Sequence, residues 1–250
     1  MAAFDSLTSR DPHGLTNAAP WQTMGAAGLP DPSWAHVYHN DFDTYLASDW
    51  TVSTVGAPTE ALTAADGGQL LITNSSGIAD TTYFQLTKAS FQLVAGKAAF
   101  FKFAGMLSDV INDVFYCGLR AASATPLSAN DGLYLVKATG AATLQLVSKV
   151  GGVSTTVNLP TLEPLVNNTA FELGIMVDYL GNVAAFFNPT TGDNPISAAN
   201  AASGASRGRV AALYAPGLTQ VLLTPSFGLL NSTAVARTLQ VDYITAVRNR

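Results

Sequence analysis

The sequence predicts an all-β fold, a two-sheet antiparallel sandwich entered through an extended N-terminal arm. Three observations predict it. From residue 39 onward, short runs rich in Val, Thr, Tyr and Phe alternate apolar with polar positions. Gly, Asn, Asp and Ser clusters cut these runs at the spacing of a sandwich. No segment carries the 3.6-residue apolar period of a long amphipathic helix. A chain of 250 residues is within the range that a sandwich uses as one domain with one core.

Taken in order, residues 1–37 read as the arm and 38–250 as the sandwich. The arm holds Pro12, Pro20, Pro30 and Pro32 among Gly, Ala, Asn and Ser, with Phe4, Trp21, Met24 and Trp34 scattered through it. That spacing fits neither strand nor helix, so an irregular or extended course is expected. Burying one such ring is worth about 2 to 3 kcal/mol, so the arm is expected to dock on its own domain or on a neighbouring subunit. Phe4, Trp21, Met24 and Trp34 are its candidate partner-binding residues.

Strands are expected at residues 50–55, at 69–73 after the Asp66-Gly67-Gly68 turn, and at 81–86, 91–94, 98–103 and 114–120. Residues 132–137, 143–150 and 153–159 follow as a meander of hairpins, and 171–178 and 183–188 flank the turn Leu180-Gly181-Asn182. Residues 189–206, rich in Ala, Ser, Gly and Asn, read as a long surface loop with a short helical turn near 197–202. Strand texture returns at 210–214, 221–223, 226–230 and 238–247, for roughly a dozen strands.

Composition narrows the function. Only 12% of residues are charged against 48% hydrophobic, so the surface is built from hydroxyls, amides and small apolar groups. Seventeen acids against twelve bases give a net charge of -5, and the small arginine pairs Arg207/Arg209 and Arg248/Arg250 make no basic face, so nucleic acid is not an expected partner. No run approaches the ~18 apolar residues of a membrane span, and the N-terminus lacks the texture of a secretory signal. The single cysteine, Cys117, lies in an apolar run and reads as a buried core side chain; with no disulfide framework, assembly in a reducing cytoplasm is expected.

Asp41-Phe42-Asp43 precedes Trp50, and Gly68-Gln69-Leu70-Leu71-Ile72-Thr73 follows. Phe100, Phe101, Lys102 and Phe103 then run into Gly105 and Ser108-Asp109. Asp131-Gly132-Leu133-Tyr134-Leu135, Phe171-Glu172-Leu173-Gly174-Ile175 with Val177-Asp178, and Leu239-Gln240-Val241-Asp242-Tyr243-Ile244 complete the order over residues 39–248. This order of segments resembles the concanavalin A-like, laminin G-type jelly roll of tailed-bacteriophage virion proteins. The resemblance implies a non-enzymatic virion protein that binds and stabilises the capsid lattice as a decoration or cement protein. The implied partners are the major capsid protein or other virion subunits and further copies of the chain, as a dimer or trimer. The alternative is a carbohydrate-binding fibre or tail adhesin with a glycan as partner; a glycoside hydrolase ranks below both.

Catalytic chemistry finds little in the residues. Retaining glycosidases need two carboxylates about 5 Å apart, yet Glu60, Glu163 and Glu172 are isolated from one another, and Glu172 and Asp178 would lie ~20 Å apart on a straight strand. Serine-hydrolase and thiol chemistry are not expected: no Gly-x-Ser-x-Gly elbow is read, and His13, His36 and His39 all lie in or beside the arm. His36 and His39, three apart, point to opposite faces of an extended segment, so neither a shared metal nor any cofactor is expected. Asp109, Asn112 and Asp113, and Asn130 with Asp131, have the chemistry of a calcium loop but also that of ordinary turns, and no metal is assigned to them. For sugar stacking, Tyr83, Phe84, Tyr116, Tyr134 and Tyr179 are the ring candidates, against a core role for alternating aromatics.

Overall fold

The computed structural model describes residues 35–64, 67–159, 165–187, 208–214 (backbone) and 221–250. Fifteen strands are present: β1 (Ala35–Asn40), β2 (Trp50–Val55), β3 (Thr59–Thr63), β4 (Gln69–Asn74), β5 (Thr81–Leu86), β6 (Ala99–Leu107), β7 (Asp113–Arg120), β8 (Gly132–Lys137), β9 (Leu144–Val150), β10 (Val153–Asn158), β11 (Ala170–Val177), β12 (Asn182–Phe187), β13 (Gly208–Tyr214), β14 (Thr224–Asn231) and β15 (Arg237–Asn249). They form two antiparallel sheets. An eight-stranded sheet runs β13-β12-β11-β6-β15-β4-β3, with β1 also on β15, and a seven-stranded sheet runs β10-β9-β8-β7-β14-β5-β2. β15 is long enough to take β4 along its first half and β1 along its second.

Period-two alternation sends one side of each strand into a shared core. Phe101 and Phe103 of β6, Phe115, Cys117 and Leu119 of β7, Phe227 and Leu229 of β14 and Leu173 and Ile175 of β11 all meet there. Trp50, Phe84 and Phe227 form its aromatic centre, with the Phe84 and Phe227 rings stacked 4.9 Å apart and Trp50 edge-on to both. Phe42 reaches this centre at a cost: it takes a left-handed backbone (φ 56°), held by its amide on Asn40 Oδ1 at 2.8 Å. Gly68 passes so close beneath that a Cβ there would lie 2.4 Å from the Phe42 carbonyl oxygen. The expected all-β, two-sheet antiparallel sandwich is therefore the observed one.

Local departures have physical causes. Residues 91–94 form no strand; Phe91 makes one bridge, to Leu223, and is buried with Leu93, so their apolar texture reflects packing rather than a ladder. β3 was not foreseen because Thr59–Thr63 is half exposed and lacks a clean alternation. β1 begins at Ala35, inside the segment read as arm. Phe4, Trp21, Met24, Trp34, the loop 189–206 and its helical turn lie outside the described residues.

Candidate functional site

The outward side of the seven-stranded sheet is unlike an ordinary solvent face. Strand register sets its side chains in rows: Tyr134, Gly118, Ser226 and Gln85 in one, and Val136, Tyr116, Gly228, Tyr83 and Ser53 in the next. Arg120 follows Gly118 on the same side of β7, by alternation. Although they point away from the core, Arg120 and Tyr116 are fully buried and Gln85, Tyr83 and Tyr134 nearly so.

Glycine makes the room. A Cβ on Gly228 would lie 2.5 Å from Tyr83 and 2.9 Å from Tyr116, so only a glycine lets the two rings meet over β14, where they stand edge-to-face 5.6 Å apart. The Arg120 guanidinium stacks 3.8 Å over Tyr134 and 5.8 Å from Tyr116.

The loop of residues 121–131 between β7 and β8 arches over this bed. Gln85 ties it down: its Nε2 donates to the Ala121 carbonyl at 3.2 Å and its Oε1 accepts from the Ser123 amide at 2.9 Å. Arg120 adds a bond from Nη2 to the Ala129 carbonyl at 3.3 Å. Between the loop and the β2–β5 edge lies a cleft of about 430 Å³, lined by Ser53, Thr81, Tyr83, Thr125, Leu127 and Ser128 and floored by Val55 and Leu230. Its size suits a small ligand; its exposed lining is mostly apolar beside the Tyr83 ring, with Ser53 and Thr81 on the strands and the Thr125 and Ser128 hydroxyls bonded to each other at 2.6 Å. Burial pushes the Tyr83 phenol up, with the charge of Arg120 pulling the other way, so Tyr83 stays a neutral donor and acceptor.

The strands of this sheet contain one carboxylate, Asp113, and it points inward. There it joins a buried charge cluster. Arg237 bonds Asp109 at 2.9 Å and lies 3.5 Å from Asp113, and Lys137 donates to the Val110 carbonyl at 2.8 Å. Burial raises Asp113 to about 7, against the pull of Arg237, and lowers Lys137 to about 8. Asp109 falls to about 2: burial works against this, but bonds from Asn112 and Ile111 and the charge of Arg237 prevail.

The remaining candidates are separated. Of the five ring candidates, Tyr83, Tyr116 and Tyr134 share the outer face, Phe84 is core, and Tyr179 lies in the exposed β11–β12 turn. Glu172 sits on the opposite sheet, bonded to Lys102 and Tyr243, and Asp178 caps the β11–β12 turn through the Leu180 and Asn182 amides. Glu60 accepts from Tyr45 at 2.6 Å. His36 bonds Ser90 and packs at a tilt against Phe91, whereas His39 bonds Thr245. Asp131 Oδ1 accepts from the Gly151 amide at 3.1 Å and so fastens the end of the 121–131 loop to the β9–β10 turn. Among the described residues no three His, Cys, Asp or Glu side chains cluster as metal ligands, and no helix is long and apolar enough to cross a membrane.

One feature escaped the sequence reading and one reading is corrected. Arg120 is a lone cation at the end of an apolar strand, and its only signal was the nearby Gly118. The expected absence of a Gly-x-Ser-x-Gly pattern is wrong: Gly204-Ala205-Ser206-Arg207-Gly208 matches it, but its last residue opens strand β13, whereas a nucleophile elbow leads into a helix.

No protein-family model matches the sequence, and no curated protein matches it. Solved structures do. An endo-1,3-β-glucanase from Streptomyces sioyaensis superposes with a TM-score of 0.59 at 12% identity, over 89% of this chain and 99% of that one. The carbohydrate recognition domain of Emp47p gives 0.56 at 10% identity, over 88% and 98%. A protein of unknown function from Shewanella oneidensis MR-1 gives 0.56 at 9% identity, over 86% and 87%. At these identities the likeness is one of fold, and the chain has the fold of the concanavalin A-like, lectin-type jelly-roll sandwiches.

Proposed function

We propose that the chain is a carbohydrate-binding jelly roll without hydrolytic activity, and that its site is the cleft between the 121–131 loop and the β2–β5 edge. One observation carries the reading: the cleft joins the Tyr83 ring and a mostly apolar lining to Ser53 and Thr81, with the mutually bonded hydroxyls of Thr125 and Ser128 facing them from the loop, on a sheet whose strands turn no carboxylate outward. A ring and hydroxyls bind a sugar, whereas hydrolysis with retention or inversion needs a carboxylate pair. Sugar-binding and sugar-cleaving proteins both occur among the structural neighbours, so the missing pair favours the binder.

The test is a glycan array followed by titration with wild type and Tyr83→Ala. Selective binding that weakens about tenfold in the folded variant, as for loss of one stacking ring, is expected, with no reducing ends released. An array without a single binder, or sustained cleavage, would overturn it.

A second reading rests on the resemblance to tailed-phage virion proteins and on a surface poor in charge. In it the same sandwich attaches to a virion lattice through Phe4, Trp21, Met24 and Trp34 and displays the cleft outward. Saturable co-sedimentation with undecorated shells, lost on truncation of residues 1–34, is its expected signature; a chain that ignores shells removes it.

A further inference from the structure

Arg120 poses a problem that the sandwich alone does not solve. It has no exposed surface, yet its Nε and Nη1, which carry three of the five guanidinium N–H donors, have no partner. Nη2 makes one long bond, to the Ala129 carbonyl, and no carboxylate pairs with the group among the described residues. The Tyr116 hydroxyl beside it is equally buried and equally without a partner. A fixed positive charge withdrawn from water without an anion or a full set of acceptors is costly, and stacking on Tyr134 satisfies none of the in-plane donors. Neither Arg120 nor Tyr116 lines the cleft, but the lining residue Tyr83 touches Tyr116, against which Arg120 lies, and feels the charge of Arg120, so the orphaned donors are one ring removed from the cleft.

We propose that the saccharide taken by the cleft is acidic and that its carboxylate is received by the Arg120 guanidinium, with the Tyr116 hydroxyl as a second donor. This rests on the cleft being a sugar site. The carboxylate supplies the acceptors that Nε, Nη1 and the phenol lack, and a charge-assisted contact in so dry a place is strong and selective. Because Arg120 is covered, the 121–131 loop must lift for the anion to arrive. It is held by the two Gln85 bonds, by the bond from Arg120 itself and, from the β9–β10 hairpin, by bonds of Lys149 to the Ser128 carbonyl, of the Gly152 amide to the Asn130 carbonyl and of the Gly151 amide to Asp131, and lifting must break those on the Arg120 side.

The experiment is titration calorimetry on the full chain with tetramers of galacturonate, glucuronate and mannuronate and with α2,3-sialyllactose, each beside its carboxyl-reduced neutral form. At least one acidic member is expected to bind tenfold or more tightly than its reduced partner, and Arg120→Met is expected to abolish that difference. The wild-type comparison decides the matter even if the variant does not fold. Equal affinity for every acidic and reduced pair would overturn the acidic preference and leave a neutral-sugar site standing. Silence toward all of them, with silence on the neutral array, would overturn both.

Discussion

Asp113 shows how much a single residue's direction matters. The same alternation that faces Phe115 and Cys117 inward carries Asp113 into the buried cluster with Lys137 and Arg237. Burial lifts its carboxyl from 3.8 to about 7, so between those values the folded chain holds a proton that the unfolded chain has released. Raising the pH through that window therefore favours unfolding, by at most about 4 kcal/mol. Asp113→Asn removes this dependence. Its melting temperature relative to wild type is expected to rise by about 5 °C or more between pH 4.5 and 7.5, and a difference constant with pH in a calorimetric scan would refute the assignment. Direction also explains which site residues were legible. Tyr83 and Phe84 are neighbours in sequence, and only the parity of β5 sends one to the cleft and the other to the core. Arg120 was invisible because nothing in a sequence distinguishes a strand-end arginine in water from one folded back over a tyrosine.

At the scale of elements, the 121–131 loop is the part on which binding depends. Gln85 on β5 restrains it by side-chain bonds to Ala121 and Ser123 and is itself oriented by Ser226 on β14. Gln85→Ala should raise hydrogen exchange at the Ser123 amide on the order of tenfold, the cost of about one net hydrogen bond, while β7 and β14 amides stay protected. Uniform acceleration across the sheet would instead mean that Gln85 supports the fold as a whole. Most strands were readable because alternation and turn residues coincide, as in β4 and in the β8–β9–β10 meander. β3 escaped because a half-exposed strand has no apolar side to announce it. Residues 91–94 misled because a buried loop needs the same side chains as a strand.

The whole molecule is a sandwich whose two outer faces differ. The eight-stranded sheet carries Lys102, Glu172 and Tyr243 as a mutually satisfied polar group. The seven-stranded sheet carries buried donors without acceptors, three strand glycines and a cleft. The fold class was legible in the sequence because it follows from periodicity and composition. The choice of face was not, because it depends on how the 121–131 loop and seven strands come together in register. The most direct measurement is a crystal structure of the chain grown with the tightest-binding oligosaccharide. The expected result is a sugar ring against Tyr83 beneath the 121–131 loop, with the loop displaced toward solvent; a saccharide seated on the eight-stranded sheet, with the cleft unoccupied, would contradict it.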